Sequence, residues 1–111
     1  MSKEYYSMIE SIVIEEYERL LKLVQSYQQS LASYPKGKLV YKVRRGKEYL
    51  HLQWREGVRV HTKYVHHHSH DQLDELREQI RKRDKLLEKI KITKQKIKSL
   101  EKGFKMPKKD T

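Results

Sequence analysis

The sequence predicts an α+β fold: a long N-terminal helix, a three-stranded antiparallel sheet made of two hairpins, and a long C-terminal amphipathic helix. Three observations carry this. Apolar residues step by three and four through residues 2–34. Residues 38–65 switch to period-two alternation of β-branched and aromatic residues, broken by Gly46 and Gly57. Ser69 and Gln72 then stand at the spacing of a capping box, opening a second helical pattern over residues 70–102. Helix-period and strand-period patterns bury different sets of side chains, so each switch of period marks a new element. The expected unit is one α-β-β-β-α domain over residues 1–104, followed by a disordered basic tail, 105–111, in which Pro107 blocks further helix.

In the first helix Ser2 is the expected N-cap, and Glu4 suits the positive end of the helix dipole. Ile9, Val13, Tyr17, Leu20, Val24, Tyr27 and Leu31 form one stripe, which Tyr5, Met8, Ile12, Ile14 and Leu21 widen. The stripe is expected to be core or a seat for a partner helix. Pro35 disfavours helical geometry at Tyr34, and Gly37 completes the break.

The strands are read from their faces. Leu39, Tyr41 and Val43 alternate with Val40, Lys42 and Arg44; Leu50, Leu52 and Trp54 alternate with Tyr49, His51, Gln53 and Arg55. A two-residue loop at Arg45-Gly46 pairs Lys42 with Tyr49 and Tyr41 with Leu50, so like faces meet. For the second hairpin, a two-residue loop at Glu56-Gly57 would turn the third strand inside out, because a slip of one residue exchanges the faces. A three-residue loop at Arg55-Glu56-Gly57 sets Trp54 against Val58, Leu52 against Val60 and His51 against His61. It also gives Gly57 the left-handed position such loops need. In this reading Val58, Val60, Thr62 and Tyr64 join the apolar face, and Arg59, His61 and Lys63 join the basic one.

In the second helix Asp71, Asp74, Glu75 and Glu78 fill the first turns, where the dipole favours negative charge. Leu73, Leu76, Ile80, Leu87, Ile90 and Ile97 mark a seam flanked by Leu86 and Leu100 and interrupted by Arg83 and Lys94. That is an amphipathic packing face rather than a strict zipper.

Charge narrows the function. The net charge is +11, and residues 36–65 hold nine basic against two acidic groups, whereas residues 1–34 hold three against five. Basic charge gathered on one element suits a polyanion, most often nucleic acid. There is no cysteine, which excludes disulfides, thiol catalysis and cysteine zinc sites. With no secretory signal pattern and no apolar run of about 18 residues, no membrane span and a cytoplasmic location are expected. No nucleophile–base arrangement and no phosphate-cradling glycine loop appears, so an enzyme is not expected, and neither is a cofactor. The run His66-His67-His68-Ser69-His70 is of a kind that can bind transition metals, but it specifies no geometry. It is read as a polar linker, and no metal site is assigned.

The residues proposed to contact nucleic acid are Lys42, Arg44, Arg45, Lys47, Tyr49, His51, Gln53, Arg55, Arg59, His61 and Lys63. Arginine and lysine suit phosphates and guanine edges, glutamine suits adenine, and a β-ribbon fits the major groove. Duplex DNA is therefore the favoured partner.

Tyr49, Leu52, Gln53, Trp54, Arg55, Glu56, Gly57, Arg59 and Tyr64, after a Lys/Gly-rich lead-in, follow a Y-x-Y-L-Q-W-R-E-G hairpin pattern. Over about residues 35–100 the chain resembles a family of small, functionally uncharacterised prokaryotic proteins often encoded in mobile elements. The glycine usual in that family after the last strand is replaced by the histidine run. More loosely, the strands resemble the three-stranded DNA-binding domain of phage-type integrases, whose sheet enters the major groove. The resemblances imply a phage or mobile-element setting. The alternative reading is a phage or mobile-element protein-binding adaptor or inhibitor of anti-defence type, acting on a nucleic-acid-handling complex. Its basic surface would block the nucleic acid's path, or its first helix would dock on the target. A homodimer through the helices also stands as an expectation.

Overall fold

A computed structural model describes residues 3–65 and 67–106, with side chains from residue 7 onward. The order is α1 (Lys3–Leu31), β1 (Lys38–Arg44), β2 (Lys47–Glu56), β3 (Arg59–Tyr64) and α2 (His70–Gly103). This is the expected α+β class, with β2 central in one antiparallel sheet. The cap expected at Ser2, His66 and residues 107–111 lie outside the described residues. No helix among the described residues is long and apolar enough to cross a membrane.

The span expected to form one domain gathers its contacts in two compact units. One is helical, built from α1 and the part of α2 from Leu86 onward; the other, Ala32–Lys85, holds the sheet. In the helical unit the predicted α1 stripe is the buried one. Tyr17, Leu20 and Val24 form a core with Ile97 of α2, and Leu21, Leu100 and Met106 pack against it. Tyr17 donates its hydroxyl proton to Glu101 at 3.0 Å. Burial and that hydrogen bond push the phenol above its ordinary value. Met106, three residues past the helix end, is the part of the expected tail among the described residues that packs on this core. The α2 seam is also adjusted: Thr93 is buried and bonds back to the Lys89 carbonyl at 2.8 Å, while Leu87 is exposed. The buried positions there run Ile90, Thr93 and Ile97, so where Lys94 interrupts the expected seam the neighbouring Thr93 takes the buried place, its hydroxyl satisfied by its own helix.

Helix α1 ends at Leu31, three residues before the expected limit. Pro35 explains the shortening, because its ring collides with the carbonyl four residues back, which belongs to Leu31. The start of α2 follows the capping box. The Gln72 amide donates to Ser69 Oγ at 3.2 Å, and the Ser69 amide donates to Gln72 Oε1 at 2.8 Å.

The first hairpin has the predicted register, with Lys42 opposite Tyr49 and Tyr41 opposite Leu50. Arg45 and Gly46 both have positive φ, 51° and 79°, which makes the loop the type I′ turn that matches strand twist. The second hairpin differs from the prediction. Glu56 lies opposite Arg59, Trp54 opposite His61, Leu52 opposite Lys63 and His51 opposite Tyr64. The loop is the two residues Gly57-Val58, with Gly57 at φ 60° in the first central position, as a type II′ turn requires. Relative to the three-residue loop, this exchanges the faces of β3. The new register stacks Trp54 on His61, with centroids 5.5 Å apart and an 18° interplanar angle. It leaves Val58 97% exposed in the turn. Turn chemistry and aromatic pairing therefore outweigh the little apolar area Val58 and Val60 had to offer.

A clamp 46 to 48 residues long in sequence closes the sheet unit. Arg83, expected only to interrupt the seam, donates from Nη1 to the Pro35 carbonyl at 2.9 Å and to the Gly37 carbonyl. Gly37 has φ 92°, and a Cβ there would lie 2.1 Å from the Gln53 carbonyl oxygen. Only glycine lets the chain pass that close to β2.

Candidate nucleic-acid interface

The register assigns each strand residue to a face. Leu39, Tyr41 and Val43 share one face with Glu48, Leu50, Leu52, Trp54 and Glu56, and with Arg59, His61 and Lys63 of β3. Leu50 is buried on that side, and Val65 beside it is fully buried, its amide bonded to the Leu50 carbonyl at 3.0 Å. The other face carries Lys38, Lys42, Arg44, Lys47, Tyr49, His51, Gln53 and Arg55, together with Val60, Thr62 and Tyr64.

Of the eleven predicted contact residues, Lys42, Arg44, Lys47, Tyr49, His51, Gln53 and Arg55 are thus brought together, and Arg45 sits in the adjoining turn. Arg59, His61 and Lys63 are not; they lie on the opposite face. His61 stacks on Trp54 there and stands 3.6 Å from Glu56, which also accepts from the Trp54 indole at 3.2 Å. These three belong to the architecture of the second hairpin. Sequence reasoning missed Thr62 and Tyr64, whose place on the basic face follows from reading Gly57-Val58 as a type II′ turn.

The charge pattern is one-sided. Both carboxylates of the strands, Glu48 and Glu56, lie on the face with Leu50. The other face holds Lys38, Lys42, Arg44, Lys47 and Arg55 and no strand carboxylate. From Lys47 to Arg55 this row runs roughly 26 Å at the usual strand rise.

At one end the first hairpin concentrates charge against its own stability. Arg44 and Lys47 are direct partners across the strands, and like charges so placed repel. Arg45 occupies a left-handed position that asparagine or glycine would fill at lower cost. Local rules broken together in this way mark a candidate functional site.

An open groove of about 780 Å³ lies beside this turn, lined by Arg44, Arg45, Tyr49, His51, Thr62 and Tyr64. Its aromatic lining centres on Tyr64. The centroid of Tyr64 is 5.3 Å from that of His51 and 5.9 Å from that of Tyr49. On another side Tyr64 stacks with His67 at 5.5 Å and 29°. His51 Nδ1 lies 3.1 Å from the Tyr49 carbonyl, an acceptor, so the imidazole donates from that nitrogen and its ring orientation is held.

His70, Asp71 and Asp74 bring three ligand-type atoms within 4.8 Å of one another, all on exposed residues. His70 is paired with Asp74 at 3.1 Å, an ordinary contact between residues four apart at a helix start.

Residues 8–78, more than half of the chain, match the model of a family described as a domain of unknown function, DUF6788. No curated protein and no solved structure matches the chain.

Proposed function

The chain belongs to the DUF6788 family, and from that premise we propose that it is a small nucleic-acid-binding protein whose basic sheet face engages duplex DNA. The observation that carries the proposal is the segregation of charge. Lysines and arginines from β1 and β2 share one face while both strand carboxylates lie on the other. A solvated sheet face ordinarily mixes the two signs, which keeps it soluble without attracting polyanions. A row of roughly 26 Å matches the rise of about eight base pairs. The phage or mobile-element setting suggested by the hairpin pattern belongs to this proposal.

Fluorescence anisotropy with a labelled blunt duplex across a salt series tests it. Engagement of four or five phosphates gives a log–log salt slope of about −4. Lys42→Glu and Arg55→Glu are expected to weaken binding and each to lower the slope by about 1. Unchanged affinity in both variants would refute the proposal.

One observation favours a protein-binding adaptor instead: Met8 and Ile12, one turn apart on α1, are 57% and 60% exposed. Under that reading Met8→Ser with Ile12→Ser abolishes partner capture, while Arg55→Glu leaves it intact.

A further inference from the structure

We infer that the groove beside the first hairpin accepts an unpaired base, so that the preferred ligand is a duplex carrying an extrahelical or overhanging nucleotide. This rests on the nucleic-acid reading and specifies its substrate. A row of cations suffices for phosphates, but this groove has a second chemistry. It is lined by the rings of Tyr49, His51 and Tyr64 together with Arg44 and Arg45.

Cross-strand aromatic pairs by themselves stabilise a sheet, and His51 and Tyr64 are such a pair. Three features go beyond that. On the face opposite buried Leu50, Tyr64 keeps 40% of its surface open while Tyr49 and His51 beside it are half-buried. The row continues past the strand end, from Tyr64 to His67 and then His68, whose centroids are 4.9 Å apart. The cations next to these rings sit in the strained, self-repelling turn. A volume of about 780 Å³ lies within the 300–1,000 Å³ range of small-ligand sites.

A base inside a duplex has both π-faces covered by its neighbours and cannot use such rings. An unpaired base can lie against the rings while Arg44 and Arg45 hold its phosphate, and every base has a π-face to offer. The lysine and arginine row leading from the groove toward Arg55 would then follow the adjoining duplex backbone. Recognition of this kind is sequence-tolerant and depends on structure in the DNA.

The test compares three labelled DNAs: a blunt duplex, the same duplex with a short single-stranded overhang, and that duplex with an abasic overhang of equal length. The abasic arm keeps the phosphates and removes the bases. The base-bearing overhang is expected to bind about 5- to 150-fold more tightly than the abasic one, the range for one stacked base. Tyr64→Ala should abolish that preference and Tyr64→Phe retain it. His67→Ala, at an exposed position outside the strands, should reduce it without disturbing the sheet. Equal binding of base-bearing and abasic overhangs, with the blunt duplex still bound, would overturn the inference and leave the nucleic-acid reading standing. Failure to bind any of the three would overturn both.

Discussion

Replacing Gly37 by alanine tests how the sheet unit is closed. Its φ of 92° lies where a Cβ costs about 1–2 kcal/mol on conformational grounds alone. The added methyl also meets fixed atoms: the Gln53 carbonyl oxygen at 2.1 Å, its carbon at 2.7 Å and Trp54 Cβ at 2.8 Å. These belong to the central strand, so no side-chain rotation relieves the clash, and forced displacement of packed atoms costs a further ~1–3 kcal/mol. The expected loss is ~2–5 kcal/mol, a large part of a typical domain stability of ~5–15 kcal/mol. Gly46→Ala separates the two contributions. Gly46 has a comparable φ of 79°, yet a Cβ there meets nothing within 4 Å, so it should lose only the conformational ~1–2 kcal/mol. Urea unfolding followed by fluorescence of Trp54, the sole tryptophan, reads the sheet unit directly. A Gly37→Ala midpoint no lower than that of Gly46→Ala would refute the close approach of residue 37 to β2.

Three further outcomes follow from the same structure. Arg83→Met keeps an unbranched side chain but removes the donors to the Pro35 and Gly37 carbonyls, and should cost about 1.5–3 kcal/mol in urea unfolding, as for other charged donors. Val58→Ser should change stability by no more than about 0.5 kcal/mol, since Val58 is 97% exposed; a loss above 1 kcal/mol would favour the three-residue loop with Val58 packed on Trp54. Tyr17→Phe removes the bond to Glu101 and should cost about 0.5–1.5 kcal/mol near neutral pH. Because folding holds this phenol protonated, the unfolded chain releases the proton first as pH rises. Its contribution is full below the ordinary value of 10.0 and is lost as pH climbs through the raised folded value. Chemical denaturation at neutral and alkaline pH should therefore show a smaller alkaline decline in the phenylalanine variant.

Much of the fold is legible in short stretches because short-range chemistry decides it. The Ser69–Gln72 box, the α1 stripe through Tyr17, Leu20 and Val24, and the Arg45-Gly46 turn each need only a few neighbouring residues. The charge of the candidate interface is legible too, since β1 and β2 alternate cleanly and one register satisfies them. The third strand is different. Val60, Thr62 and Tyr64 are all exposed, so burial does not choose between its faces, and a strand without a buried side is weakly specified by its pattern. There the type II′ geometry of Gly57-Val58, the Trp54–His61 stack and the opposition of Glu56 and Arg59 decide, and they exchange the two faces.

The sequence by itself determined the element order, the helix start at Ser69, the first hairpin and the excess of positive charge on the sheet. Only the tertiary structure decided which face Arg59, His61 and Lys63 occupy, why residue 37 must be glycine, and that Arg83 serves as a clamp. It also decided that Tyr49, His51 and Tyr64 share one groove with Arg44 and Arg45. Each of these is a meeting of groups distant along the chain, and pattern within a segment carries no information about which distant backbone or ring will lie against it.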